Sequence, residues 1–341
     1  NLLYSLYNRT EATIAKFSET LWVSVAVNMK KMSDTITEFQ SELMALPRIL
    51  RDWVAYRELK HELHDFQQVL PVLSSISGPA MRTRHWNSIM QTTGKKLNLH
   101  ADHLRLKHIL AIDPVQYRAE IEEVCTAAIK EAELEVKVKG LAELWNDMVF
   151  TFAHYKDRGP VTLDAKSLAE IMEKLEESLA TLAAITSNRY AKPLEEEVVG
   201  WVTKLSGVTE IVEHWNHVQT MWVNVEAVFS LSDISAQLGA EARRFQKVDA
   251  AYMKLMGRAA EHPNIIDCCY SDNQLRNLLP HLAGQLELCQ KSLAGYLDKK
   301  REAFSRFYFV SDRMLLEILS EGISAPAIEH TWKPCLRGSS F

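Results

Sequence analysis

Residues 194–229, LEEEVVGWVTKLSGVTEIVEHWNHVQTMWVNVEAVF, form a proline-free stretch in which large apolar side chains recur every three or four positions. The apolar stripe consists of Val198, Trp201, Leu205, Val208, Ile211, Trp215, Val218, Trp222, Val225 and Phe229. This spacing predicts one helix of about 36 residues, about 54 Å long at a rise of about 1.5 Å per residue. A stripe of that length needs other helices packed beside it, which favours core packing over stacking of bases or a cofactor on its tryptophans.

The rest of the chain also shows mainly helical spacing, and residues that break helices are few, with 12 Gly and 10 Pro among 341 residues. Asp164 is predicted to cap one helix, and Pro280 to delay the regular start of another. We therefore predict an all-α, mostly helical fold, an elongated array of long packed helices with one small β-hairpin. The further helices are predicted at 1 to about 46, about 48–69, from Arg84, from Asp113-Pro114, about 165–187, about 241–261 and about 272–303.

One segment has the spacing of strands instead. In MVFTFAHYKDRGPVTLDA, residues 148–165, apolar residues alternate on both sides of Asp157-Arg158-Gly159, which can form a turn. This pattern predicts a β-hairpin at about 148–164.

Composition excludes several classes of protein. Lys and Arg number 39 against 44 Asp and Glu, so there is no basic excess that would indicate a nucleic acid or membrane partner. The five cysteines lack the density of a disulfide scaffold and include no CxxC pair, which favours a reducing compartment. No apolar run of membrane-spanning length and no signal-peptide pattern occurs, so a soluble intracellular protein is expected, and the absence of an initial Met suggests a piece of a longer chain.

No catalytic, cofactor-binding or metal site is predicted in this chain. Gly94-Lys95 has Ile89 where a phosphate-binding loop requires its first glycine, so ATP binding of the Walker type is not expected. His61 and His64 lack the four-residue spacing that places two imidazoles on one helix face around zinc. No nucleophile elbow occurs either, so the chain is predicted not to be an enzyme.

A second informative stretch is YLDKKREAFSRFYFVSDRMLLEIL, residues 296–319, in which a basic helix end leads into an aromatic segment and then another helix. Its positive charges suit the C-terminal end of a helix dipole. Read as a strand, the aromatic segment would place Phe307 and Phe309 in the core and Tyr308 on the opposite face.

This stretch has the pattern YLxxKRxxFxRFYFxSDxxLLEIL, which resembles the end of the linker domain of dynein heavy chains. The resemblance also rests on Arg84-His85-Trp86, on WxxVQxxW at 215–222 and on FSLSDI at 229–234. Finer details, among them Cys268-Cys269 and LLPHLAGQLELCQKSL, look most like axonemal outer-arm heavy chains of the gamma class. The candidate structural and mechanical residues are Arg84, His85, Trp86, Trp215, Gln219, Trp222, Lys300, Arg301, Phe304, Arg306, Phe307, Tyr308 and Phe309.

The resemblance implies a mechanical lever that lies across an AAA+ ring and carries force toward the tail of a microtubule-based motor. It implies ATP and Mg in the parent motor but not in this fragment. The implied partners are the AAA+ ring and tail of the same heavy chain, dynein intermediate and light chains, other heavy chains and microtubules. The implied location is the cytoplasm and cytoskeleton, in the axoneme of a cilium or flagellum. The hairpin turn and the helix break at 188–193 are candidate hinges or ring contacts.

Two features depart from the family pattern. Ser305 stands where the family has proline, and residues 331–341 do not look familial, as in a truncated product or a splice variant. The predicted divisions are an N-terminal helical part at 1–95, a central part with the hairpin at 96–190, a C-terminal part at 191–330 and an atypical tail at 331–341. A static helical scaffold and an independent enzyme are the alternatives to a motor linker.

Overall fold

The computed structural model describes residues 2–100, 102–230, 232–270 and 273–320, and it confirms an all-α fold with one small β-hairpin. The chain divides into two compact units, Asn1–Lys137 with Asn188–Pro193, and Val138–Ser187 with Leu194–Phe341. The predicted division into three helical parts and a tail stays a prediction, and the tail at 331–341 lies outside the described residues.

The first unit is built from helices around one apolar core. Its helices α2 (Trp22–Ala45) and α3 (Val54–Ile76) lie side by side and bury Val25, Ile36, Leu59 and Leu63 completely. A 3-10 turn, Arg48–Asp52, joins these two helices. The helices are α1 Leu2–Ser18, α2 Trp22–Ala45, α3 Val54–Ile76, α4 Thr83–Thr93, α5 Leu106–Leu110 and α6 Arg118–Asp147, the last continuing into the second unit.

The single helix predicted for 1 to about 46 is wrong, because the chain breaks between α1 and α2. At the break the N–H of Trp22 donates to the carbonyl of Leu104 at 2.8 Å, and the N–H of Leu106 donates to the carbonyl of Thr20 at 3.0 Å. These bonds to a distant segment replace bonds within a helix, although the apolar spacing runs on through the break.

The predicted helix start at Asp113-Pro114 is also wrong. Asp113 has a φ of 54°, in the left-handed region, and its carbonyl accepts from the N–H of Gln116 at 3.1 Å. The residue therefore belongs to a turn, and α6 starts at Arg118.

The second unit is organised along α8, which spans Glu195–Phe229 and confirms the long helix predicted from the sequence. This helix packs against helices α7 (Ala165–Thr186), α10 (Gly239–Glu261), α11 (Ile265–Tyr270) and α12 (Asn273–Ala303). The elements after α6 are β1 Phe152–His154, β2 Pro160–Leu163, α7 Ala165–Thr186, α8 Glu195–Phe229, α9 Ser232–Gln237, α10 Gly239–Glu261, α11 Ile265–Tyr270, α12 Asn273–Ala303 and α13 Asp312–Ser320.

The strands β1 and β2 pair antiparallel, with Phe152 opposite Leu163, as the alternation predicted. Asp164 caps α7 as predicted, because its carboxylate accepts from the N–H of Ser167 at 2.9 Å.

Pro280, however, does not delay α12. Leu275 and Leu279 are buried before it, so packing outweighs the one backbone hydrogen bond that proline removes.

None of the described helices is long and apolar enough to cross a membrane.

Candidate functional site

The Arg84-His85-Trp86 motif lies in the first turn of α4, where His85 makes two polar contacts. The backbone N–H of Arg82 donates to Nδ1 of His85 at 3.0 Å, and Nε2 lies 2.8 Å from a carboxylate oxygen of Glu131 in α6. Because Nδ1 accepts a hydrogen bond, the proton of the neutral ring is on Nε2 and is donated to Glu131. His85 therefore closes the start of α4 and ties it to α6, and it is itself buried.

Arg84 adds ion pairs between the same two helices. Its guanidinium reaches Glu131 at 2.6 Å and Glu135 at 3.0 Å, and Arg82 binds the second oxygen of Glu135 at 3.0 Å. Burial opposes the charge of Arg84, but hydrogen bonds to Glu135 and Glu131 raise its pKa above the ordinary value. The third residue of the motif, Trp86, meets Trp22 edge to face, with ring centroids 5.7 Å apart.

In the second unit, Gln219 of α8 binds the end of the hairpin. Its Oε1 accepts from the N–H of Leu163 at 2.7 Å, and its Nε2 donates to the carbonyl of Leu163 at 3.1 Å. A side-chain amide thus pairs with both polar backbone groups of one strand residue, as a neighbouring strand would.

Trp222, one turn further along α8, joins the hairpin turn to α10. Its Nε1 donates to Asp249 of α10 at 3.0 Å, and its ring stacks on Tyr252 with centroids 4.6 Å apart. Arg158 of the turn lies over the Trp222 ring and binds Asp249 through two hydrogen bonds of 2.7 Å. Burial raises the pKa of Tyr252, so its hydroxyl stays protonated beside this ion pair.

Glu226, a buried acid on α8, holds the other side of the turn. One of its oxygens accepts from the Tyr155 hydroxyl at 2.9 Å and from Lys156 Nζ at 2.6 Å. The hydrogen bond to Glu226 raises the pKa of Lys156, although desolvation opposes it. Lys156 has a φ of 48°, an unfavourable conformation for a residue with a side chain, which this ion pair helps to hold. The turn is therefore fixed to α8 and α10 by charged contacts.

Trp215, the first residue of WxxVQxxW, differs from Trp222 in its polar contacts. It is fully buried against Phe150, with ring centroids 5.5 Å apart. Its Nε1 is buried and has no hydrogen-bond partner among the described residues. Trp215 contributes apolar packing, whereas Trp222 contributes packing and a charge-assisted hydrogen bond.

The aromatic segment after α12 is not strand-like. Ser305–Phe309 forms a 3-10 turn, which turns Phe309 outward to 86% exposure and leaves Tyr308 60% exposed. The expectation that Phe307 and Phe309 both enter the core is therefore wrong for Phe309. A 3-10 turn repeats every three residues, so side chains two apart do not share a face. Phe307 is half-buried and packs on Phe304, and the buried residue beyond is Val310.

Arg301 fixes this turn to the end of α12. Its guanidinium donates to the carbonyls of Phe307 at 3.4 Å and Val310 at 3.1 Å, and to Asp312 of α13 at 2.5 Å. The hydrogen bond to Asp312 raises the pKa of Arg301, although desolvation opposes it. Of two neighbouring cations, Lys300 is half-buried over the Tyr296 ring, 5.2 Å from its centroid, and Arg306 is exposed.

The acids that bind these motifs were missed by sequence reasoning. Glu131, Asp249 and Glu226 lie 27 to 91 residues along the chain from their partners. Each acid falls within an ordinary amphipathic helix, where a charged residue indicates a solvated face. A polar residue inside an apolar stripe, such as Glu226 after Val225, is the one signal that could have pointed to them.

Metal binding and catalysis have little support in the part of the chain that the structure describes. No three His, Cys, Asp or Glu side chains there are grouped as metal ligands. An open cleft of about 370 Å³ in the second unit is lined by apolar residues together with Arg258, His262, Asp267 and Cys268. The Cys268 thiol of this cleft forms a hydrogen bond with the neighbouring Cys269, and this bond together with burial raises the pKa of Cys269.

Comparison with known proteins gives a consistent family. Residues 1–339 match the family described as "Dynein heavy chain, N-terminal region 2". The chain is 41% identical over 327 residues to "Dynein axonemal heavy chain 5" of Rattus norvegicus, covering 96% of this chain and 9% of that protein. It is 42% identical over 326 residues to "Dynein gamma chain, flagellar outer arm" of Chlamydomonas reinhardtii, covering 96% of this chain and 7% of that protein. The predicted resemblance to gamma-class outer-arm heavy chains is confirmed, and the chain spans less than a tenth of the length of these relatives.

Proposed function

Since the chain belongs to the dynein heavy chains, in their N-terminal region 2, we propose that it is the linker of an axonemal dynein and works as a mechanical lever. In this proposal the parent heavy chain is an ATP-driven motor that moves along microtubules in a cilium or flagellum. ATP and Mg bind elsewhere in that heavy chain. The partners of the lever are the AAA+ ring and the tail of the same chain, with intermediate chains, light chains and other heavy chains joining through the parent.

The length and support of α8 favour a lever. Its 35 residues span about 52 Å at about 1.5 Å per residue, and α7, α10, α11 and α12 pack against it. Long helices packed side by side resist bending because deforming one disturbs the close packing of its neighbours. Displacement applied to such a bundle is transmitted rather than absorbed.

The observation that carries the proposal is the attachment of the hairpin to α8 and α10. Gln219 binds the end of β2, Glu226 binds Lys156 of the turn, and Asp249 binds Arg158. With contacts at its end and on both sides of its turn, the hairpin follows the helices when they move. This attachment supports a role for the hairpin in transmitting displacement between the helices.

The test is made in a complete heavy chain that carries this region, with Arg158→Gln as the main variant. This change breaks the two-bond contact with Asp249 and should slow microtubule gliding while ATP hydrolysis stays near the parent rate, because loosening the lever uncouples motion from chemistry. Lys174→Gln is the matched control, since it breaks an exposed pair of 2.6 Å to Glu177 within α7 alone. We expect the control to change neither rate.

Three other outcomes would contradict the proposal that this chain is a mechanical lever. Unchanged gliding and hydrolysis in Arg158→Gln, with a purified chain that melts at a lower temperature, would indicate a static scaffold. Equal losses of gliding and hydrolysis would indicate general misfolding of the motor. Saturable binding of ATP by the isolated 341-residue chain, measured by calorimetry, would favour an enzyme instead.

A further inference from the structure

The connection between α2 and α3 exposes a group of large apolar side chains. Ile49 is 80% exposed, Val54 68% and Met44 64%, and Trp53 is also exposed. They lie within eleven consecutive residues at one end of a pair of adjacent helices. A cluster of exposed apolar side chains, unlike single ones, marks an interaction surface.

The exposure does not come from a loose loop. Leu46 and Leu50 of the same connection are partly buried and pack against the core of the first unit. The N–H of Trp53 donates to the carbonyl of Leu50 at 3.2 Å, and Arg51 donates to the carbonyl of Met44 at 3.3 Å. The backbone is therefore held in place while its outer side chains stay in solvent.

The charge around these side chains is positive. Arg48, Arg51 and Arg57 are exposed, and Asp52 is the one acid between 44 and 57, so this segment has more positive than negative residues while the whole chain carries −5. In the part of the chain that the structure describes, these arginines form no ion pairs, and Arg51 and Arg57 donate to backbone carbonyls. Their charge is thus available to an outside anion.

We infer that this surface, the 44–57 patch, binds an acidic amphipathic segment of a partner protein. Exposed Trp, Met and Arg together are the residue types enriched at protein interfaces. The apolar side chains would take the apolar face of the segment, and the arginines would pair with Asp or Glu beside it. The inference does not depend on the lever proposal, since the first unit alone carries the patch.

The test uses the full 341-residue chain and a fluorescent peptide with leucines at helical spacing and glutamates elsewhere. Fluorescence anisotropy should show saturable binding that weakens with added salt. A peptide with lysine in place of every glutamate should not bind.

Single substitutions assign the binding to the patch. Ile49→Ser and Arg48→Glu should each weaken binding by about tenfold, as loss of a central interface contact does. The matched controls are Val27→Ser and Lys30→Glu, which change an 86% exposed valine and an exposed lysine of α2 in the same unit. The controls should bind within about twofold of the unchanged chain, well below a tenfold effect.

Four results would overturn the inference. Equal binding by patch variants and controls would place the peptide elsewhere, and equal binding of the lysine peptide would exclude charge recognition. Concentration-dependent self-association that Ile49→Ser abolishes would assign the patch to a second copy of the chain. Binding to phosphatidylserine vesicles with no binding to the acidic peptide would assign it to an anionic membrane.

Discussion

Gln219 binds Leu163 through both ends of its side-chain amide, with the Leu163 N–H at 2.7 Å from Oε1 and the Leu163 carbonyl at 3.1 Å from Nε2. Leu163 is 3% exposed, so water has little access to these backbone groups. A two-stranded hairpin leaves polar backbone groups on its outer edges unpaired, and one glutamine on α8 supplies the partners here.

Gln219→Leu should therefore destabilise the chain. Leucine is similar in size but leaves the N–H and carbonyl of Leu163 without partners, and a buried polar group left unpaired costs about 1–3 kcal/mol. Urea unfolding followed by circular dichroism measures the loss. Gln246→Leu, at an exposed position of α10, is the control and should change stability little. Equal stability of the two variants would mean that the amide contact contributes nothing.

The pH dependence of the first unit should contain a contribution from Glu135. Burial opposes its charge, but hydrogen bonds from Arg82 and Arg84 lower its pKa below the ordinary value of 4.5. A carboxylate with a lowered pKa in the folded state adds stability above its ordinary pKa, and this stability is lost as the pH falls through the folded value. Glu135→Gln should thus destabilise the chain at about pH 7 and have a diminishing effect below about pH 4.

The measurement is urea unfolding at a series of pH values, compared with Glu123→Gln. Glu123 is exposed on the same helix and serves as the control for loss of one negative charge. A Glu135→Gln effect that stays constant across the series would show that the ion pairs do not depend on the carboxylate charge.

The sequence alone was sufficient to predict the elements whose pattern lies within a few neighbouring residues. The apolar residues of α8 recur every three or four positions, which is the helical period. The helix begins one residue after the predicted position, at Glu195. The alternation around the turn encodes the hairpin, and Asp164 caps α7 because its side chain reaches a residue three positions away. These features need only the chain within a few residues of each position.

The rest depends on contacts between distant segments. Helical spacing continues from α1 into α2, and the break between them comes from bonds with backbone more than 80 residues away, at Leu104 and Leu106. The charged contacts of the hairpin likewise join Arg158 to Asp249, 91 residues later. No local period marks such a pair, since each residue by itself resembles a solvated surface charge.

The 3-10 turn after α12 exposes Phe309 and buries the next residue, Val310. Phe309→Ala should change stability by less than about 0.5 kcal/mol, because its side chain is 86% exposed. Val310→Ala should cost about 1–2 kcal/mol, because it removes two buried methyl groups packed near Leu297 and Leu315. Thermal and urea unfolding of both variants provide the comparison. A larger loss from Phe309→Ala than from Val310→Ala would restore the strand-like arrangement.

The two tryptophans of WxxVQxxW give a matched pair for the last prediction. Trp215 and Trp222 are both fully buried in α8, so replacing either by phenylalanine removes the same apolar area. Trp222 also donates to Asp249 at 3.0 Å, whereas Nε1 of Trp215 has no partner among the described residues. Hydrogen bonds to charged groups contribute about 1.5–3 kcal/mol, so Trp222→Phe should be more destabilising by about 2 kcal/mol.

A double-mutant cycle separates this hydrogen bond from packing. In an Asp249→Asn background the amide no longer offers a charged acceptor, so the excess effect of Trp222→Phe over Trp215→Phe should shrink. The effect of Trp215→Phe itself should stay the same, because Trp215 packs on Phe150 and its Nε1 has no partner among the described residues. If Trp222→Phe stays more destabilising in this background, the difference would come from the stacking of Trp222 on Tyr252 and from its cation–π contact with Arg158. In that case the carboxylate of Asp249 would serve Arg158 alone, and α8 would hold the hairpin turn through Glu226 rather than through the indole of Trp222.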